Sequence, residues 1–314
     1  MAEWVPEGGS GSGSGSAWAP RVRGAPGAWR VFTGNEIGAL LAAWRWRAYL
    51  EAAPGGRAGA TPAYRAAAFM CASAVSSRFL ARMAAAEGFE YAETLTGFKW
   101  MGNAMAAAEA RGAAPLFAFE EAIGFAACSA VRDKDGVSAA AAFGEMAGVL
   151  AGEGQSCVGA LGGLFERYGA ICCNNGYLVV RDARVTEAIF SRLQAGGRYW
   201  ARARRLGIAG VRDLKSPGWD SANVAGGGAP RLPTSSSSHM LTYTFTCGVT
   251  ATLRSSGTEP KLKWYAEGPS ARAVDAAVQV VMAEMLRPKR HGLARPVMLL
   301  REGAEEEEER EGED

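Results

Sequence analysis

The sequence predicts an α/β chain: one α/β layered domain followed by a smaller α+β domain. Three observations carry that expectation. Strand-like and helix-like apolar patterns alternate from about residue 35 to Tyr168, the signature of a layered α/β unit. Beyond it three short strand-like runs, Met240 to Cys247, Val249 to Leu253 and Leu262 to Ala266, lie close together ahead of a helix. The length, 314 residues, suits two cores of ordinary size.

Each element follows from local pattern. Ile37, Leu40, Leu41, Trp44, Ala48 and Leu50 recur at three- and four-residue steps and predict a helix, with Asn35 as its cap. Glu51 to Thr61 reads as a Pro/Gly loop, Ala66 to Ala74 as a buried strand, and Ser76 to Glu87 as a helix closed by Gly88. Phe89 to Glu93 is a strand, Gly102 to Arg111 a helix, Leu116 to Phe119 a strand, and Ser138 to Ala151 an Ala-rich helix. In the second unit, Tyr177 to Arg181 is a strand, Val185 to Gln194 a helix and Gly207 to Asp213 a strand. Residues 215 to 234 form a loop, and Ala271 to Leu286 is a helix covering the antiparallel strands. The expected organisation is a Gly/Ser-rich disordered segment over 1–29, domains over 30–168 and 169–295, and an acidic disordered tail over 296–314.

Composition excludes several classes. The formal charge of +2, with both signs mixed along the chain, gives no support for nucleic acid as a partner. Arg and Lys interrupt every apolar stretch before it is long enough to span a bilayer, so no membrane partner is expected. Residues 17 to 30 carry several Arg and no acid, but Glu3 and Glu7 weaken a targeting reading, and a cytoplasmic location is expected. The six cysteines are scattered without a C-x-x-C pair, and the chain has only His239 and His291. No metal site is expected from them.

The run Arg254-Ser255-Ser256-Gly257-Thr258-Glu259-Pro260, with Lys261 and Lys263 after it, lies between two strand-like stretches. Such a turn offers backbone N–H groups and hydroxyls converging on one point, with cations beside it, which suits a phosphate. A plain polar hairpin turn is the alternative. Glu120 and Glu121 follow an apolar strand, where α/β folds place ligands. They suit either sugar hydroxyls, which need fixed acceptors, or a helix N-terminus.

The stretch from Leu232-Pro233-Thr234-Ser235 through Glu267 resembles the α-D-phosphohexomutase superfamily, in its phosphoglucomutase/phosphopentomutase branch. Phe32 to Leu41, Glu93 to Asn103, and Phe117 to Phe125 with Asp133 to Ala139 are similar to that branch in the same order. The resemblance covers roughly residues 30 to 290. It implies a sugar-binding domain followed by a phosphate-binding domain. The sugar would be read by Thr96, Gly97, Lys99, Glu120, Glu121 and Lys134, with Lys134 facing the phosphosugar for proton transfer. Arg254, Ser255, Ser256, Gly257, Thr258 and Lys263 would grip the phosphate. Ala122 stands where many members have serine. The resemblance also implies Mg2+ and a sugar 1,6-bisphosphate activator. However, neither a T-A-S-H-N-P-like serine loop nor a D-x-D-x-D-R magnesium loop occurs, and Gly8 to Ser16 stands where the latter is expected. Asp133-Lys134-Asp135 lacks the third aspartate and the arginine. The expectation is therefore a phosphosugar-binding second half of a mutase, inactive alone, with a separate chain as a possible source of the first half. A non-catalytic sugar-phosphate-binding or regulatory protein is the alternative.

Overall fold

The computed structural model describes residues 1–5, 28–170, 172–197, 199, 204–257, 259–294 and 296–298. Two sheets, each with its own core, dominate it. In the first, β3 (Ala68–Ser73) lies between β4 (Glu90–Thr94) and β5 (Ala114–Glu120), parallel to both, and β6 (Gly124–Ala126) turns back antiparallel beside β5. Every residue of β3 is buried, as expected for a parallel strand covered on both faces.

The alternation of side chains along these strands sorts them into two layers. Met70, Ala72, Phe117 and Phe119 join the larger cluster, packed with Ile37, Leu40 and Leu41 of α1 (Gly34–Glu51), while Phe69, Cys71 and Ala118 join Phe98, Met101 and Met105 of α5 (Phe98–Ala110). The larger cluster also takes residues from α4 (Phe79–Glu87), α6 (Gly136–Gly152) and α7 (Cys157–Tyr168). Between α1 and β3 come the one-turn helices α2 (Gly56–Gly59) and α3 (Pro62–Ala66). The cap of α1 is Thr33, in a reciprocal capping box with Glu36, rather than Asn35.

The second sheet has seven strands in the order β13-β7-β12-β11-β10-β8-β9. They are β7 (Cys172–Val179), β8 (Ile208–Asp213), β9 (Trp219–Asp220), β10 (Met240–Phe245), β11 (Thr250–Ser255), β12 (Lys261–Gly268) and β13 (Val297–Met298), and every adjacent pair runs antiparallel. Leu178, Leu241, Leu253, Leu262 and Trp264 bury against α8 (Ala183–Gln194) and α9 (Ala271–Val280), the latter prolonged by a π-helical turn over Val281–Leu286. Gly176 is fixed by sterics, since a Cβ there would overlap the Trp264 ring.

The expected disordered segment over 1–29 differs at its two ends. β1 (Ala2–Val5) pairs antiparallel with β2 (Ala28–Val31). Glu3 then seats its carboxylate on the N–H groups of Cys157 and Val158, at 3.0 and 2.9 Å. An anion at that helix end satisfies donors that lack intrahelical partners. Residues 6–27 of that segment lie outside the described residues. The expected acidic tail starts later than 296, because Val297 and Met298 pair with β7; 299–314 lie outside the described residues.

Glu87 ties the first domain together. Its carboxylate accepts from Trp46 Nε1 at 2.9 Å, the Tyr168 hydroxyl at 2.7 Å, Arg65 Nη1 at 3.0 Å and the Arg167 guanidinium. Burial alone would raise its pKa, but the hydrogen bonds from Tyr168 and Trp46 and the charges of Arg167 and Arg65 outweigh it and hold the carboxyl below its ordinary value. Its stabilisation is thus present above the unfolded glutamate pKa and is lost as pH falls through the lower folded value. Glu87→Ala leaves the Trp46 and Tyr168 donors without their acceptor and removes the partner shared by Arg65 and the half-exposed Arg167, and is expected to cost about 1–3 kcal/mol. Urea titration at neutral pH checks this, and the variant should also show a flatter stability profile on acidification.

Candidate functional site

The carboxyl end of the first sheet carries the sugar-side candidates. Glu120 closes β5 and accepts the backbone N–H of Gly97, the residue that precedes α5 with φ +110°, a conformation glycine adopts without Cβ strain. Thr96 and Gly97 are half-buried in this turn. Lys99 is exposed, its ammonium 5.6 Å from the Trp100 ring centre. Glu120 is followed by a tight turn and β6, not by a helix, which removes the helix-dipole explanation for the paired glutamates. At the tip, Ile123 has φ +60° and is 69% exposed. A β-branched residue in that region is strained, and nothing around so exposed a side chain compensates for it.

Helix α1 presses directly on this turn. A Cβ on Gly34 would overlap the backbone carbonyl oxygen of Glu121, and one on Gly38 would lie 2.6 Å from the Phe119 ring. The first and third sequence blocks thus pack as one unit. Glu121 is held from the other side by two serines: its N–H donates to Ser76 Oγ at 3.0 Å, and its carboxylate accepts from Ser76 Oγ at 3.2 Å and Ser73 Oγ at 3.5 Å. The two hydroxyls are 2.7 Å apart. Burial, then the charge of Glu120, raise the Glu121 pKa, while its backbone bond, Ser76 and the Arg254 charge work against them.

Lys134 is exposed on the turn before α6. Asp135 N–H donates to the Phe125 carbonyl at 2.9 Å, which lays this turn beside β6. The flanking acids serve the backbone: Asp133 Oδ1 accepts from Lys134 N–H and Asp135 Oδ1 from Val137 N–H. Among the described residues no three His, Cys, Asp or Glu side chains gather as metal ligands. Asp133 and Asp135, each with Oδ1 on a backbone N–H, are not arranged as a ligand set for Mg2+, and no step is derived through it.

The second domain supplies the cationic side. Arg254, near the end of β11, faces Lys263 across the ladder and acts on the Tyr265 hydroxyl, whose pKa is pushed up by burial and by Glu121 while the Arg254 guanidinium works against them. Ser255 and Ser256 do not leave their N–H groups free: they donate to His239 and Lys261 carbonyls at 3.1 and 2.9 Å. The lysines are also engaged, Lys261 at 2.6 Å and Lys263 at 3.6 Å from the Glu259 carboxylate. Gly257 is exposed at the tip, and Thr258 lies outside the described residues.

The domains meet beside these groups. Val75, Leu214, Met240 and Tyr265 form a small apolar cluster. Arg212 pairs with both oxygens of Glu93, at 2.5 and 3.0 Å, and Asn35 accepts from Ser77 N–H at 2.9 Å while facing Cys173. A small open cleft lies between Ser76, Ser77 and Arg78 on one side and Thr252, Tyr265 and Glu267 on the other. Ser73, Ser76, Tyr265 and the Arg212–Glu93 pair went unread in the sequence. The Ser73-x-x-Ser76-Ser77 spacing just past a buried strand was the available signal, because residues there face the same crevice as Glu121.

Residues 33–168 match the family model for phosphoglucomutase/phosphomannomutase α/β/α domain III, and residues 209–284 match that for the C-terminal domain of the same family. The chain belongs to the phosphoglucomutase/phosphomannomutase family. It carries the family's third and C-terminal domains. It is 41% identical over 244 residues to human phosphopentomutase, covering 77% of this chain and 38% of that protein, and 39% identical to mouse glucose 1,6-bisphosphate synthase with the same coverage. A probable phosphoribomutase of Schizosaccharomyces pombe is 35% identical over 89% of this chain and 47% of its own length. The chain thus spans less than half the length of these relatives. A solved structure of the Paramecium phosphoglucomutase parafusin, in an open form, shares the fold with a TM-score of 0.58 at 16% identity, over 86% of this chain and 44% of that one. No described helix is long and apolar enough to cross a membrane.

Gly34→Ala is expected to displace the Glu120–Gly124 turn, because the new methyl meets backbone rather than a movable side chain. A destabilisation of about 1–3 kcal/mol follows from such overpacking, read as a fall in the thermal midpoint. An unchanged midpoint would show that α1 does not hold this turn.

Proposed function

We propose that this chain is the sugar-reading and phosphate-gripping half of a phosphoglucomutase/phosphopentomutase-type mutase. Its reaction class is intramolecular phosphoryl transfer on hexose or pentose phosphates by way of a sugar bisphosphate. One observation carries the reading: the two domains pack together through Val75, Leu214, Met240 and Tyr265, beside the Glu120–Glu121 turn that Ser76 braces, so that the Arg254 charge is felt at Glu121. The phosphate-side cation and the sugar-side carboxylates thus converge across the domain boundary.

In this reading Glu120 accepts hydrogen bonds from sugar hydroxyls while its bond to Gly97 keeps the Thr96–Lys99 turn in place. Glu121, braced by Ser73 and Ser76, keeps Arg254 facing the sugar. Arg254, Ser255, Ser256, Gly257, Thr258 and Lys263 hold the phosphate that does not react, with the guanidinium offering a planar fork to its oxygens. Phosphoryl transfer depends mainly on such positioning and on neutralising charge. A proton-transfer role for Lys134 requires its turn to come over the sugar. Relatives named phosphopentomutase, glucose 1,6-bisphosphate synthase and phosphoribomutase support a phosphosugar ligand. Phosphoryl transfer also needs a donor and a counter-charge on the transferred group, and no described cluster supplies a metal for the latter. The chain alone is therefore expected to bind without turnover.

Titration calorimetry with inorganic phosphate, glucose 1-phosphate and ribose 1-phosphate tests the binding reading. Arg254→Ala should weaken all three about tenfold, since a hydrogen bond to a charged group contributes roughly 1.5–3 kcal/mol; equal affinity in that variant overturns the phosphate assignment. Glu120→Gln should alter discrimination between the sugars and leave inorganic phosphate untouched. In a coupled mutase assay with Mg2+ and a trace of glucose 1,6-bisphosphate, no turnover is expected. Turnover that survives removal of contaminating mutase would overturn the half-enzyme reading.

A further inference from the structure

His239 is a buried ionisable group beside the phosphate-binding turn, and the reading above gives it no role. It is 4% exposed. Its ring lies flat on Phe190, with centroids 4.3 Å apart and an interplanar angle of 8°, and Nε2 is 2.8 Å from the Glu187 carboxylate. Both partners belong to α8. The other ring nitrogen, Nδ1, is buried without a hydrogen-bond partner. Packing alone does not account for this, because a phenyl ring would stack on Phe190 equally well and strand no polar atom.

The backbone of His239 explains what the ring is holding. β10 and β11 pair from Met240 opposite Arg254, so His239 stands opposite Ser255, where the ladder ends and the phosphate turn begins. The His239 carbonyl accepts the Ser255 N–H at 3.1 Å. The His239 N–H donates to Ser255 Oγ, at 3.0 Å. A hydroxyl that accepts through a lone pair keeps its hydrogen for donation. Phosphate oxygens are acceptors, so this bond presets Ser255 as a donor to them.

We propose that His239 is a positioning residue for the phosphate-binding turn: its ring, anchored on Phe190 and Glu187, fixes the backbone that orients the Ser255 hydroxyl toward bound phosphate. The inference rests on the phosphate-binding reading of Arg254 to Thr258. Glu187 is 60% exposed on its side chain, and Lys215 and Ser191 are the other groups acting on it. The His239 bond contributes most to holding the Glu187 carboxyl below its ordinary value, which fits an ionised acceptor facing Nε2–H.

Phosphate affinity of the full chain, measured with inorganic phosphate as the probe, separates the possibilities. His239→Phe keeps the stack and removes the stranded nitrogen, so its thermal midpoint should be unchanged or higher, while phosphate affinity falls about fivefold, as expected for one lost hydrogen bond. His239→Gln, whose amide can still donate to Glu187, should restore most of that loss. Glu187→Ala sits on an exposed position, where a substitution is expected to change stability little. Removing its negative charge would by simple electrostatics tighten phosphate binding, whereas loss of the anchor weakens it; weakening is the expected result. Unchanged phosphate affinity in His239→Phe, or tighter binding in Glu187→Ala, overturns the proposal. A wild-type chain that does not bind phosphate at all overturns the phosphate-turn reading itself, and the inference with it.

Discussion

Glu267 reaches from β12 to the head of α4 and accepts the Arg78 N–H with both carboxylate oxygens, at 3.1 and 2.9 Å. Burial pushes its pKa up, while the Arg78 N–H, the Ser77 hydroxyl and the Arg78 and Arg82 charges favour the ionised form. A carboxylate at the start of a helix satisfies donors the helix itself leaves open. Here those donors belong to one domain and the carboxylate to the other. The Arg212–Glu93 pair repeats the logic a short distance away, with side chains 15% and 29% exposed. Separating such groups leaves charge facing a poorly solvated surface. Each sheet has its own core and has no intrinsic reason to prefer one orientation of the other. These polar contacts, with Tyr265 and Met240 packed between them, set that orientation, and the influence of the Arg254 charge on Glu121 depends on it.

Elements with a strong period were legible in the sequence. The buried run at Ala68–Ser73, the antiparallel trio β10 to β12 and the helix after Ser270 were all expected close to their observed limits. The helix α7, Cys157–Tyr168, was not. Its Gly159, Gly162 and Gly163 depress helix propensity, and its start depends on Glu3, more than 150 residues away in sequence. The cap of α1 was misread for a different reason. Asn35 is a good capping type, but Thr33 also has Glu36 three residues on to close the reciprocal box, and Asn35 is instead spent on the Ser77 N–H.

The candidate site divided along the same line. Glu120, Gly97 and Arg254 could be singled out chiefly because the sequence blocks that hold them resemble those of a known family. What fixes them could not be. Ser76 matters through two bonds to Glu121, 45 residues away, and Tyr265 through a guanidinium on the adjacent strand and a carboxylate in the other domain. The expected nest of free N–H groups at Ser255 and Ser256 also failed for a three-dimensional reason. The hairpin ladder extends into the turn and uses both donors, so anion recognition there falls to hydroxyls, the exposed Gly257 tip and the cations.

Those cations are not idle in the free chain. Glu259 lies between Lys261 and Lys263, with its carboxyl held below the ordinary range chiefly by its hydrogen bond to Lys261. In the proposed phosphate-binding role, an arriving phosphate would therefore compete with an anion the turn already carries. Glu259 is 43% exposed, so its pairing is screened and weak, and a doubly charged phosphate with three acceptor oxygens can replace it. The exchange still subtracts from the phosphate's gain, which keeps the turn from holding phosphate alone very tightly. The sugar then matters energetically. In the proposed function, a sugar whose hydroxyls engaged Glu120 would bring its phosphate to the turn at high effective concentration and make the same exchange favourable. A turn that is weak alone and strong in combination releases one end of a ligand readily while the other end stays bound. The proposed reaction by way of a sugar bisphosphate would require this behaviour, because each of its two phosphates would have to be presented in turn.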